Sequence, residues 1–388
     1  MIFGKVTRMP RRTDRPPLPS QAPGTARSLT IHRYGTPGAR PKAYVQAALH
    51  ADETPALLVQ HHLTRLLDDA DAAGEITGEI VIVPYANPIG LAQFLNAHHM
   101  GRHELGSAGN FNRNWPDLFE PVADRLGGRL TADAEANVAL VRKAMAETLE
   151  ARKPGTELEG LRVLLAREAV DADLVLDLHC DDEALMHLFT IPAHWPGCAD
   201  LAAELGCRAV LLADPSGGNP FDEAFSAPWI RLAARFPDHP IPPACLSATV
   251  ELRGSADVSD ELAGADAAAL LRVLRRRGLV AGDPGSPPAP LAEATPLDAM
   301  DTLNTPAAGV LSYKVALGAE VAEGDVIAEL IDPVADDPAE GRRRIVTRTD
   351  GLLLARRLHR YALPGMTVAK VVGSRTLPHR TGGHLLED

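Results

Sequence analysis

ADLVLDL, residues 172–178, is a near-continuous apolar run of strand length, and His179 follows it at once. Such a run suits a strand buried on both faces of a mostly parallel sheet, where neither face alternates with water. Segments of the same character recur on either side: AYVQAAL at 43–49, EIVIVP at 79–84, RAVLL at 208–212 and LSATVEL at 246–252. Helical patterns lie between them. Residues 55–70 carry Leu57, Leu58, Leu63, Leu66 and Leu67 near helical spacing, behind a proline that suits a first turn. Residues 134–152 set Val138, Val141, Met145 and Leu149 on one face. Residues 259–277 end in Arg275, Arg276 and Arg277 before Gly278, the cations and glycine that a helix C-terminus favours. Alternating strands and helices predict an α/β layered domain.

Outside this block the pattern changes. Residues 1–40 are rich in Pro, Arg and Gly and read as an irregular arm with one short edge strand near 28–32. Residues 281–296 (AGDPGSPPAPLAEATP) read as a linker. From 310 to 372, short Val/Ile/Leu segments punctuated by Gly318, Gly324, Gly351 and Gly365 predict a small all-β domain. The expected organisation is an arm (1–40), a catalytic domain (41–280), a linker (281–296) and a C-terminal β domain (297–388).

Composition narrows the function. With 388 residues, 45% hydrophobic and 23% charged, the chain can bury a substantial core. Its 51 acidic and 39 basic side chains give a net charge of −12, which argues against nucleic acid as a partner while leaving room for a small anion held by a few local cations. The 4% aromatic content also disfavours base stacking. No apolar run approaches the roughly 18 residues of a membrane span, and the N-terminal stretch lacks the apolar core of a secretion signal. Cys180, Cys198, Cys207 and Cys245 show no CxxC spacing. The expectation is a cytoplasmic protein without membrane or nucleic-acid partners.

Four polar features fall where strands end, the place at which open α/β sheets bind ligands. They are His50-Ala51-Asp52-Glu53, Asp177-Leu178-His179, Glu251, and the loop Asn110-Phe111-Asn112-Arg113-Asn114-Trp115-Pro116. Two imidazoles and a carboxylate form a three-ligand zinc set that leaves a position for water, and a nearby carboxylate can take that water's proton. On this reading His50, Glu53 and His179 bind one Zn2+ per chain and Glu251 is the general base. Plainer alternatives exist for each residue taken singly: a polar turn for His50, a core histidine for His179, an ion pair with Arg253 for Glu251.

HADE after a strand, NFNRNWP, DLH at a strand end and TVELRG, in that order across residues 43–255, resemble the succinylglutamate desuccinylase/aspartoacylase family, relatives of the zinc carboxypeptidases. The resemblance implies a zinc-carboxypeptidase-like mixed sheet with helices on both faces, followed by a small β barrel-sandwich domain. It implies a zinc-dependent amidohydrolase in which zinc-bound water cleaves an N-acyl amino acid or similar small carboxylate. His50, Glu53 and His179 match the family's zinc ligands, and Glu251 matches its base. Asn112 and Arg113 match the pair that holds the substrate carboxylate, a task to which a planar guanidinium is suited. Arg102 matches the arginine that polarises the scissile carbonyl, although its ten-residue distance from Asn112 exceeds the spacing the family implies. Asn110 stands where the family often has an Asp that orients a zinc-bound imidazole; Asp177 is the other candidate for that role. A metallocarboxypeptidase acting on short peptides is the enzymatic alternative, and a homo-oligomer is compatible with the resemblance.

The segment 318–326 (GAEVAEGDV) resembles the turn of a biotinyl/lipoyl barrel-sandwich, which raises a non-catalytic carrier as the alternative of another class. A carrier needs a lysine at a hairpin tip, and the expected hairpin at 332–344 has none; the region's lysines are Lys314 and Lys370.

Overall fold

A computed structural model describes residues 11–20, 22–107, 109–213 and 216–380. The first ten residues of the expected arm and the last eight of the chain lie outside these.

The apolar runs assemble into one nine-stranded mixed sheet. Its strands are β1 (Arg12–Asp14), β2 (Ile31–Gly35), β3 (Lys42–Ala47), β4 (Glu79–Val83), β5 (Leu174–Asp181), β6 (His187–Thr190), β7 (Ala209–Leu212), β8 (Leu246–Gly254) and β9 (Ala294–Pro296). Their spatial order is β1-β2-β4-β3-β5-β8-β6-β7-β9. β4, β3, β5 and β8 run parallel at the centre, and β6 meets β8 antiparallel. β3 and β4 are buried along their whole length and β5 up to Asp181, as strands covered on both faces must be.

Helices cover both faces. α1 (Pro55–Ala73), α2 (Phe119–Leu126), α3 (Ala134–Glu150), α4 (Glu157–Ala169), α5 (Ala199–Leu205), α6 (Phe221–Arg235) and α7 (Asp260–Arg276) divide between two cores. On one face Leu63, Leu67, Leu201 and Leu270 pack against Val45, Leu176 and Leu178. On the other, Val122, Val141, Leu161 and Trp229 pack against Tyr44 and Val175. Strand alternation therefore turns Asp177 and His179, which share the parity of Val175, toward the second face. Arg275, Arg276 and Arg277 at the end of α7 pair with Glu75, Glu204 and Asp200, so this cationic run is engaged inside the fold.

The arm, expected to hold one short strand near 28–32, and the stretch read as a linker both contribute strands. The arm supplies β1 and β2, which pair antiparallel with each other and with β4. The end of the linker supplies β9, parallel to β7. β1 and β9 are the two edges of the sheet, each paired on one side only.

From Met300 to Val372 the described chain is built of short strands in two antiparallel sheets. One contains Met300–Asn304, Thr367–Val372, Gly351–Arg356 and Glu320–Val321; the other contains Arg342–Val346, Val326–Ile331, Gly309–Tyr313 and Tyr361–Ala362. Leu303, Leu311, Ile327, Leu353 and Val371 form their shared core. A two-residue strand after β5, Glu183–Ala184, pairs with Gly351–Arg356 and ties this region to the large sheet's neighbourhood.

Candidate metal centre and substrate pocket

The turn after β3 brings His50 and Glu53 together. Ala48 adopts a left-handed φ of 56°, and the Glu53 N–H donates to the His50 carbonyl at 3.1 Å. Glu53 then lies between two imidazoles: Oε1 is 2.8 Å from His50 Nδ1, and Oε2 is 2.7 Å from His179 Nδ1. The Cys180 backbone N–H donates to Oε2 at 3.1 Å and fixes the carboxylate's pose. Candidate ligand atoms of His50, Glu53 and His179 all lie within 4.8 Å of one another, and all three residues are sheltered from solvent. Three residues separated by up to 129 positions are thus gathered at the C-terminal ends of β3 and β5.

Each imidazole is oriented from behind, and by a different group. Asn110 Oδ1 lies 2.8 Å from His50 Nε2 and also accepts the Asn112 N–H at 2.8 Å. Being an acceptor, it places the His50 proton on Nε2 and leaves Nδ1 as a lone pair. An Asp177 carboxylate oxygen lies 2.9 Å from His179 Nε2; its other oxygen accepts from Gln46, whose own oxygen accepts from the Tyr44 hydroxyl. The choice the sequence left open between Asn110 and Asp177 is resolved by geometry, since each stands behind one ring.

The electrostatics follow from these partners. Burial, reinforced by the Arg102 charge, pushes His50 down to about 4, so it is a neutral imidazole. Burial acts on His179 in the same direction, but the Asp177 and Glu53 carboxylates outweigh it and hold its pKa well above the usual value. Burial would raise Glu53, yet the two imidazoles keep it well below the ordinary carboxylate range. The His50 Nδ1 lone pair therefore faces an ionised carboxylate at 2.8 Å. Two electron-rich atoms in that position need a cation, and the N, N, O donor set suits zinc.

Glu251 stands opposite His179 in the parallel β5–β8 register. Its Oε2 is buried without a hydrogen-bond partner, and burial, with the neighbouring Glu53 charge, raises the carboxyl to about 8. Arg253 pairs instead with Asp266, which removes the ion-pair alternative for Glu251.

Arg102 reaches the centre from an excursion of the chain. Its NH1 lies 3.3 Å from His50 Nδ1 and 3.4 Å from Glu53 Oε1. The Ala51 N–H donates to the Gly101 carbonyl, a contact so close that any Cβ on Gly101 would sit 2.1 Å from the Asp52 nitrogen. His103 bridges to Asn110, and the Phe111 N–H returns to the Arg102 carbonyl at 3.1 Å. These contacts bring Arg102 and Phe111 together, which accommodates the ten-residue spacing.

Asn112 and Arg113 are both buried. Asn112 Oδ1 accepts the Phe221 N–H at 2.8 Å, the Asn114 N–H donates to the Gly218 carbonyl at 2.8 Å, and Asn219 Nδ2 donates to the Trp115 carbonyl at 2.6 Å. These bonds zip the Asn-Arg loop to the Gly-rich loop before α6. A Cβ on Gly218 would lie 2.4 Å from Arg113 Cδ, so the glycine makes room for the arginine side chain. Residues 216–220 (SGGNP) therefore shape one wall of the pocket.

The cavity in front of the three candidate ligands is lined by Arg102, Arg113 and Glu251 and by groups the sequence did not single out for the site: Asp222, Thr249 and, from the C-terminal region, Met300, Thr302 and Lys370. Lys370 pairs with Asp181 at the cavity edge. Other histidines are engaged elsewhere: His62 contacts Asp260, His99 stacks on Phe94, and the His187 ring contacts the Leu185 carbonyl. Burial raises the Cys180 thiol far above its ordinary range, which suits packing. Among the described residues, no helix is long and apolar enough to cross a membrane.

The family model described as the succinylglutamate desuccinylase/aspartoacylase catalytic domain matches residues 39–277. Solved structures agree across nearly the full chain. A protein described as belonging to that family from Shewanella amazonensis superposes with a TM-score of 0.83 at 25% identity, covering 93% of this chain and 98% of its own. A counterpart from Shewanella frigidimarina gives 0.82 at 23%, covering 94% and 97%. The ectoine utilisation protein EutE of Ruegeria pomeroyi, in a product-bound structure, gives 0.65 at 18%, covering 93% and 98%. No curated protein matches the chain in sequence.

Proposed function

As this chain belongs to the succinylglutamate desuccinylase/aspartoacylase family, we propose that it is a zinc-dependent deacylase that hydrolyses the amide bond of an N-acyl amino acid or a similar small carboxylate. The observation that carries the reading is the His50 Nδ1 lone pair held against the Glu53 carboxylate, with His179 on the carboxylate's other oxygen. His50, Glu53 and His179 would hold the metal. Bound zinc supplies Lewis acidity, polarising a carbonyl and lowering the pKa of water toward about 7.

The remaining work falls to the chain's own groups. Glu251, unpartnered at Oε2, takes a proton from the attacking water and returns it to the departing amine. Arg102, beside His50 and Glu53, stabilises negative charge growing on the carbonyl oxygen. Arg113, packed on Gly218, holds the substrate carboxylate, and Asn112 fixes the loop that presents it. The C-terminal β region acts as a barrel-sandwich cap: Thr302 and Lys370 close one side of the cavity, which favours small substrates over long peptides. Lys370 serves there in an ion pair with Asp181, which speaks against a carrier lysine at a hairpin tip.

The test is metal analysis of the purified protein together with amine release from a panel of N-acetyl, N-succinyl and N-formyl amino acids and dipeptides. About one zinc per chain and cleavage of acylated amino acids are expected. A protein that binds no zinc, or that with zinc cleaves none of the panel, would overturn the reading.

A further inference from the structure

Part of the cavity lining is apolar and has no task in this mechanism. Phe189, Ala213, Leu297 and Met300 all line the cavity and belong to one hydrophobic cluster. They come from four separate stretches: Phe189 lies on β6, Ala213 follows β7, Leu297 follows β9, and Met300 opens the C-terminal region. Strand pairing gathers them. β6 and β9 flank β7, and Leu212 stands opposite both Thr190 and Pro296. Phe189 and Ala213 are only partly buried, so apolar surface stays uncovered at the cavity. Both are held in place: the Phe189 ring meets the His187 ring edge-on with centroids 5.3 Å apart, and the Ala213 N–H donates to the Thr190 carbonyl at 3.1 Å. Apolar surface in a preformed pocket favours a ligand that can cover it with hydrocarbon.

The sheet register indicates which half of a substrate meets this surface. Thr249 and Glu251 on β8 point to the same face. Phe189 stands directly opposite Thr249 in the antiparallel β8–β6 pairing, so it lies diagonal to Glu251, on the side away from His179. In the proposed mechanism the departing amine takes its proton from Glu251, which puts the amine half of the substrate on that side. A second carboxylate finds little to hold it there. Lys370 is tied to Asp181, and Arg102 lies against Glu53. Among the described residues that line the cavity, acidic side chains outnumber Lys and Arg by five to three. A carboxylate set against the apolar surface would lose its water without gaining a counter-ion.

We propose that Phe189, with Ala213, Leu297 and Met300, forms a subsite for the amino-acid side chain, so that the preferred substrates are N-acylated amino acids with aliphatic or aromatic side chains, ahead of N-acylated aspartate or glutamate. The inference rests on the deacylase reading and on Arg113 as the anchor of the α-carboxylate.

The test compares kcat/KM of the zinc-loaded protein for N-acetyl-leucine and N-acetyl-aspartate, whose side chains are similar in size and differ in charge. The leucine substrate should be preferred by about 10–100-fold, the range for covering one hydrocarbon side chain. In Phe189→Ser that ratio should fall toward one, with zinc content and circular dichroism retained. Equal cleavage by the native protein, or a preference for aspartate, would overturn this inference and leave the deacylase reading standing; so would a leucine preference that Phe189→Ser leaves intact. N-hexanoyl-aspartate checks the placement: it should gain little over N-acetyl-aspartate, and a large gain abolished by Phe189→Ser would give the subsite to the acyl group and overturn its assignment to the amine half. Cleavage of none of the three would count against the deacylase reading itself. If the variant does not fold, the native ratios alone decide.

Discussion

His50 and His179 approach one carboxylate from opposite sides, at 2.8 and 2.7 Å, yet they are different chemical species. Behind His50 stands a neutral amide, Asn110, and the ring is held neutral near 4. Behind His179 stands a carboxylate, Asp177, and the ring keeps its proton well above the usual range. One half of the centre is a ready ligand; the other is a stored ion pair. The pair gives the metal-free protein a way to shelter Glu53 without a cation of its own, and it means that a metal must expel a proton from one ring only.

The comparison can be broken most sharply at Glu251, the carboxyl opposite His179. Glu251→Gln should retain zinc but lower kcat by about 10²–10⁴-fold, the usual worth of a positioned acid–base group. Retained turnover would show that the base lies elsewhere. Metal content measured alongside separates this loss from a failure of the ligands.

Next in size is Asp177→Asn, which makes the two halves alike. Zinc affinity should fall by about 10–100-fold, the usual effect of removing a ligand's orienting partner. Because the same change lowers the proton affinity of His179, the loss should be greatest at alkaline pH, where no proton competes, and shrink toward neutrality. Competition with a chelator across pH checks it.

In the native protein the asymmetry fixes a proton count. His179 has a raised pKa, so it is protonated at pH 7 in the metal-free state, and zinc must displace that proton. Calorimetry in buffers of different ionisation enthalpy should find at least about one proton released per zinc at neutral pH, from His179 and in part from Glu251, with apparent affinity rising with pH until His179 itself titrates. Release near zero would refute the assigned states. The smallest effect belongs to Asn110→Asp, which restores a charge behind His50. It should raise that ring's basicity, increase proton release and tighten zinc binding only modestly.

The centre was legible in the sequence because its parts sit at strand ends, and strands buried on both faces announce themselves as apolar runs. His179 follows such a run directly, Glu251 stands near the end of another, and the HADE turn follows a third. Asp222 escaped notice as a lining residue because the Phe221–Asn112 hydrogen bond that fastens the start of α6 to the Asn-Arg loop joins residues 109 positions apart. α6 was hidden for a local reason: Pro228 lies inside it, and an interior proline ordinarily argues against a helix. α4 carried a signal that could have been read, since Thr156 and Glu159 form a capping box just before an apolar run. β6, only four residues long, and β9, at the end of a Pro-rich stretch, owe their strand character to neighbours rather than to pattern.

The pairing of Glu183–Ala184 with Gly351–Arg356, together with β9 on the rim of the large sheet, has a bearing on any shortened form of the chain. A version stopped at residue 280 would retain His50, Glu53, His179 and Glu251, yet leave the outer side of β7 and the backbone of 183–184 bare. Unpaired N–H and C=O rows recruit strands from other molecules. The residues after 280 thus close two strand edges that a shortened chain would present to solvent.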